Sequence, residues 1–330
     1  MDFLVVANGA CQQAYWPDYL RKAQFEAGGG QVVHTAELGN LQQLSSKKAL
    51  VLGEGPSAIE VATQMAITSH YPVVHVMRPE VVKSFGRKPR WGRRRTRGGQ
   101  AVNLDPIEVS ALIRERVKGP LATQYLSLLQ RGKITPVAGE MIAYTEQGIE
   151  LRSGKTIDTQ VVVLGTGYRI RFPFFSRTVQ SQLQNTFGAI SLYRGMLPPG
   201  LDRVAFLGLN RGPSATFTSE LGAYWLGESI FGYIPVPGIH EQRAQAAALA
   251  KLVTSKEGHH QQGTYLGNAT EEYVLSLLSD MRMSRMSLTN WRKGTRREIP
   301  ADLYQRLRQQ TPHPLYFSPN GRPKLLPVSV

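Results

Sequence analysis

The run Gly53-Glu54-Gly55-Pro56-Ser57-Ala58 could hold a phosphate. Gly53 permits a tight turn, Gly55 lets a pyrophosphate approach the backbone, and the N–H groups of a helix opening near Ser57 would point at it. Ala58 stands where a small residue allows close packing of helix on strand. Further on, Met77-Arg78-Pro79 ends an apolar run, with no acid before Glu80. An acid there would bind the ribose hydroxyl of NAD, whereas a cation accommodates the 2′-phosphate of NADP, so Arg78 points to NADPH. A second glycine turn, L-G-T-G-Y at 164–168, lies about 110 residues after the first. No Ser/His/Asp set or metal-ligand spacing accompanies the turns, and no catalytic residue is assigned. Glu54 and Glu60 fall on a turn and a helix and make no acid–base pair. His34, beside Thr35, reads as a hydrogen-bonded structural histidine.

These residues need elements to position them. Ala49–Leu52 is wholly apolar, as suits a strand buried on both faces, and Ser57–Ile67 is rich in helix formers with Ile59, Met65 and Ala66 available to face a sheet. Val73–Met77 follows at the distance that a βαβ unit requires. Beyond it the sequence predicts a helix over Ile107–Leu129 and an antiparallel meander of Lys133–Val137, Met141–Thr145 and Gly148–Leu151, with turns at Glu146-Gln147-Gly148 and Ser153-Gly154-Lys155. Val161–Leu164 reads as a central strand, and Val204–Leu209 as another strand followed by a helix from Ser219.

The order of these motifs resembles the flavin-containing monooxygenase family, relatives of the N-hydroxylating and Baeyer–Villiger enzymes. It is carried by F-L-V-V-A-N-G-A at 3–10, G-G-Q-V-V-H-T-A-E-L at 29–38, the fingerprint at 53–60, L-G-T-G-Y at 164–168, and V-A-F-L-G-L-N at 204–210 leading into S-E-L-G-A-Y-W at 219–225. The resemblance implies an α/β fold with a Rossmann-like NADPH-binding domain inserted in an incomplete FAD-binding domain. Residues 1–45 would be a remnant of the FAD domain and linker, 46–160 the NADPH domain, 161–280 the C-terminal part of the FAD domain, and 281–330 a basic, proline-rich tail. It implies NADPH on Gly53, Glu54, Gly55, Pro56, Ser57, Ala58 and Arg78, with Ala7, Gly9, Thr166, Gly167 and Asn210 on the FAD side. Phe3–Ala7 would be an inner strand of a sheet whose other strands are missing, and Val161–Leu164 a central strand returning to the FAD domain. The implied reaction transfers one oxygen atom to a soft nucleophile such as nitrogen or sulfur, or to a ketone. The family's FAD pyrophosphate fingerprint, expected far upstream of Phe3, has no counterpart here. The expectation is a piece of a longer monooxygenase, inactive on its own, with a rearranged or partner-completed protein as the alternative.

Composition bounds the remaining classes. At 330 residues the chain is long enough for about two domains, and no apolar run approaches the roughly 18 residues of a membrane span. The N-terminus lacks the basic stretch of a signal peptide, so a cytoplasmic enzyme with a small-molecule substrate and no membrane partner is expected. One cysteine, Cys11, excludes an intrachain disulfide and a cysteine-based metal site, and with them a disulfide-using version of the alternative enzyme, a pyridine-nucleotide-dependent flavoprotein reductase. The net charge of +15 resides in two segments, eight cations between Lys83 and Arg97 and ten after Met281. A non-catalytic NADP-binding or basic nucleic-acid-binding protein is the alternative of another class, but no nucleic-acid-binding motif accompanies the charge and no specific nucleic-acid partner is expected.

Overall fold

The computed structural model describes residues 3–79, 104, 106–183, 190–210, 215–254, 266 and 270–282. The basic segment at 83–97 and nearly all of the basic tail lie outside them. The chain enters through the short strands β1 (Leu4–Val6) and β2 (Gln13–Ala14). It then builds a compact unit over residues 14–167, and residues 1–13 and 168–330 form a second.

Within 14–167, helix α1 (Lys22–Ala27) leads to β3 (Gln31–His34), then β4 (Ala49–Leu52), α2 (Pro56–Thr68) and β5 (Val73–Met77). Helices α3 (Pro106–Arg116) and α4 (Pro120–Gln130) precede β6 (Ile134–Ala138), the strands β7 (Met141–Thr145), β8 (Gly148–Leu151) and β9 (Thr156–Asp158), and β10 (Val161–Leu164). Five of these strands make one parallel sheet in the order β3-β10-β4-β5-β6.

The alternation of a strand explains why the runs at 49–52 and 161–164 contain no polar residue. Ala49, Val51, Val161 and Val163 face a core with Ile59 and Met65 of α2, Leu112 of α3 and Tyr125 of α4. Leu50, Leu52, Val162 and Leu164 face the other core, made with Phe25 of α1 and Tyr144, Ile149 and Leu151 of the antiparallel β7-β8-β9. Each fully buried Val, Leu, Ile, Phe or Met side chain among these contributes about 1.5–3 kcal/mol.

Several sequence expectations are corrected. The helix expected over 107–129 is two, because Gly119 at φ +65 and Pro120 break it. The strand near 133–137 is β6, paired in parallel with β5 at the sheet edge, and the third strand of the meander is β9. An edge position tolerates Pro136, which lacks an N–H for a further neighbour. Strand β10 is the central strand expected, lying between β3 and β4, and residues 14–45 and 161–167 fall in the same compact unit as the fingerprint.

The second unit contains β1, β11 (Tyr168–Arg169), α5 (Arg177–Leu183), β12 (Val204–Phe206), α6 (Ala215–Ile230), α7 (Ile239–Thr254) and α8 (Thr270–Asp280). Among the described residues β1 pairs with β12 alone, in parallel, and Val5 is 42% exposed. Trp225 of α6 is fully buried against Tyr193, Leu221 and Leu277, and its indole N–H donates to Asp280 at 2.9 Å. Arg194 grips the same carboxylate at 2.7 and 3.0 Å, so the buried indole and the guanidinium share one acceptor group.

Candidate functional site

In the 14–167 unit the sequence-predicted residues lie where parallel strands end. Gly53 follows β4, Arg78 follows β5, Thr35 follows β3, and Gly165, Thr166 and Gly167 follow β10. Loops at the carboxyl edge of an open parallel sheet are where such folds bind ligands.

The two glycine turns press against each other. A Cβ on Gly53 would sit 2.4 Å from the Gly165 carbonyl oxygen, and Gly53 has φ +129. A Cβ on Gly165 would sit 2.5 Å from Cβ of Ala58, the fully buried small residue of the fingerprint. Gly53, Gly165 and Ala58 are thus fixed by packing. Gly55 differs, for its φ is −81 and a Cβ there would meet no atom within 4 Å. It opens α2 with no side-chain cap, ahead of Pro56 at the first helical turn, so neither torsion nor packing requires a glycine. What remains is the room it leaves at a helix N-terminus, whose first N–H groups lack intrahelical partners.

Glu54 and Arg78 form an ion pair. Arg78 Nε donates to Glu54 Oε1 at 2.8 Å and Nη2 donates to the same oxygen. The Glu54 side chain is 10% exposed and that of Arg78 44%, so the arginine remains reachable while its carboxylate partner is largely enclosed. The sequence separates these residues by a whole helix and gives no sign of the pairing.

A buried histidine beneath the turn was likewise not singled out. His75, in the middle of β5, contacts the Gly53 carbonyl through Nε2 at 2.6 Å and the Tyr125 hydroxyl through Nδ1 at 2.8 Å. Burial pushes its pKa down to about 4, which leaves it neutral near pH 7. The only sequence signal is a polar residue inside V-V-H-V-M.

His34 is structural in its contacts. Nδ1 accepts from the Ala36 N–H at 3.1 Å, so Nε2 carries the proton and donates to the Gly167 carbonyl at 3.0 Å. Burial lowers its pKa, partly offset by that carbonyl. Thr35 Oγ1 is buried with no hydrogen-bond partner among the described residues. Thr166 Oγ1 donates to the Tyr15 carbonyl at 2.5 Å, and Gly167, at φ +85, faces open space.

The other residues expected on the FAD side lie in the second unit. Because β1 and β12 run in parallel, with Val6 opposite Phe206, the Ala7–Gly9 and Leu207–Asn210 turns leave from the same end of the pair. Gly9 has φ +74 and open space at its Cβ, and its carbonyl accepts from Gln12, whose Oε1 accepts from the Arg171 N–H at 2.8 Å. Asn210 is buried, with Nδ2 at 2.7 Å from the Tyr273 hydroxyl. Among the described residues no cluster of three metal-ligating side chains occurs, and no helix is long and apolar enough to cross a membrane.

Among solved structures, S-allyl-L-cysteine S-oxygenase from Allium sativum aligns with a TM-score of 0.60 at 14% identity, covering 94% of this chain and 64% of that one. Tmm from Pelagibacter sp. strain HTCC7211 aligns with a TM-score of 0.56 at 18% identity, covering 84% of this chain and 52% of that one. At these identities the likeness is one of fold. By sequence, the chain is 28% identical over 200 residues to the indole-3-pyruvate monooxygenase YUCCA1 of Oryza sativa subsp. japonica, covering 52% of this chain and 48% of the relative. It spans about half the length of the first curated relatives it matches. Residues 121–289, just over half of the chain, match the family described as flavin-binding monooxygenase-like. With that match, on a fold whose two glycine turns meet at the carboxyl edge of one parallel sheet, the chain belongs to the flavin-binding monooxygenase-like family of oxidoreductases.

Proposed function

We propose that the chain forms the NADPH-binding part, and some of the FAD-binding part, of a monooxygenase that transfers one oxygen atom to a nitrogen or sulfur nucleophile or to a ketone. In this reading the 14–167 unit carries the NADPH-binding domain, set within an FAD-binding domain to which β1 and the residues after 167 contribute. The supporting observation is the division of labour among the glycines, since Gly53 and Gly165 are held by packing while Gly55 opens a helix onto free space. Ser57 and Ala58 would offer backbone N–H groups to the pyrophosphate and Arg78 would meet the 2′-phosphate. Ala7, Gly9, Thr166, Gly167 and Asn210 would line the flavin. Bound flavin supplies the redox and oxygen chemistry; the protein's share is binding, orientation and exclusion of water. Glu54 has a defined part, because its carboxylate fixes one edge of the Arg78 guanidinium and so presets the cation.

Titration of the purified chain with NADPH and NADH tests the reading. NADPH is expected to bind more tightly, and Arg78→Ala to remove most of that preference, on the order of tenfold for a charge-assisted contact. Equal affinity for the two nucleotides in the unmutated chain would refute the assignment.

A further inference from the structure

We propose that Tyr125 and His75 act as a positioning pair for the dinucleotide-binding turn, setting the direction of the Gly53 carbonyl from beneath without touching the nucleotide. The inference rests on the NADPH reading given above.

Donor and acceptor roles follow from the atoms present. The Gly53 carbonyl can only accept, so His75 Nε2 carries the proton across the 2.6 Å contact. In a neutral imidazole Nδ1 is then an acceptor, and the Tyr125 hydroxyl must donate across its 2.8 Å contact. Tyr125 therefore selects the tautomer that can hold Gly53. All three partners are internal to the unit, His75 and Tyr125 having no exposed surface, and the rings lie edge to face with centroids 5.7 Å apart. The hold is applied where backbone direction matters for a ligand. Gly53, at φ +129, is the residue at which the chain turns from β4 into α2. Because a peptide is planar and trans, fixing the Gly53 carbonyl toward β5 directs the Glu54 N–H the opposite way. The same turn carries Glu54, which holds Arg78, and Gly55, which opens the helix. One hydrogen-bonded relay thus sets three elements of the site.

Tyr125→Phe, His75→Leu and His75→Gln provide the test. Each is assayed for NADPH affinity well below its own unfolding transition, and for hydrogen exchange of the 53–60 segment without nucleotide. Tyr125→Phe is expected to weaken NADPH on the order of fivefold and His75→Leu more, while His75→Gln, which keeps an N–H donor, recovers much of the loss. Exchange over 53–60 is expected to quicken in Tyr125→Phe while Val161–Leu164 stays protected. Folded Tyr125→Phe with unchanged exchange over 53–60 overturns the proposal, as does unchanged NADPH affinity in both Tyr125→Phe and His75→Leu. If the unmutated chain does not bind NADPH, the functional reading falls instead, and the exchange measurement alone decides whether the pair sets the turn.

Discussion

Gly53→Ala is expected to lose about 3–5 kcal/mol of folding stability, whereas Gly55→Ala is expected to lose about 1 kcal/mol or less. The two glycines are separated by one residue, yet the consequences of a methyl group differ. At position 53 the new Cβ would fall 2.4 Å from the Gly165 carbonyl oxygen, and that neighbour is backbone, fixed in β10's exit by the Gly165 N–H bond to Leu52 at 2.7 Å. The φ of +129 adds strain for any residue with a side chain. Strained backbone and overpacking are each worth about 1–3 kcal/mol, and most domains have only about 5–15 kcal/mol in total. At position 55 the methyl group meets nothing within 4 Å. Its effect should appear in NADPH affinity, as a loss of tenfold or more for a misplaced pyrophosphate contact of about 1.4 kcal/mol. Urea unfolding of both variants measures the contrast. Similar stabilities for the two would mean that the turns do not press together as described.

Acid stability should show the buried histidine. The pKa of His75 is about 4 in the folded chain against an ordinary 6.5, so between these values the unfolded state binds the proton and the folded state refuses it. Stability therefore rises with pH through that window. The contribution is fully present above about 6.5 and is lost progressively as pH falls toward 4, for a total of about 3 kcal/mol. His34, whose pKa burial also lowers, acts in the same direction. Unfolding free energies at intervals from pH 7 to pH 4 should fall more steeply for the unmutated chain than for His75→Leu. Parallel profiles would show that His75 is protonated as readily in the fold as outside it.

What could be read from the sequence follows from what is local. Strands β4, β5 and β10 have the same ends in the structure as in the sequence, because an apolar run buried on both faces has nowhere else to go. Strand β3 was not legible as a strand, since Gln31 and His34 bracket two valines and pairing with β10 is set 130 residues away. Strand β6 was expected beside β7 because a hairpin is the nearest partner, whereas its parallel pairing to β5 depends on two intervening helices. At the site, the glycines were legible because a turn needs them whatever surrounds it. The Glu54–Arg78 ion pair and the Tyr125–His75–Gly53 relay were not, because each joins residues on different elements that share no pattern.

The ends of the 14–167 unit meet, since the Tyr15 N–H donates to the Gly167 carbonyl at 2.9 Å. For the rest of the chain this unit is a loop of about 150 residues between Gln13 and Tyr168, and closing so long a flexible loop would oppose folding by about 4 kcal/mol. Once the inner unit has folded its ends are already together and that entropy is spent. The parallel pairing of β1 with β12 joins segments on either side of the loop, so pulse-labelled hydrogen exchange should find β4 and β10 protected before β1. With that order the outer unit is the dependent partner in folding: a defect that unfolds residues 14–167 is expected to be felt there as a longer tether.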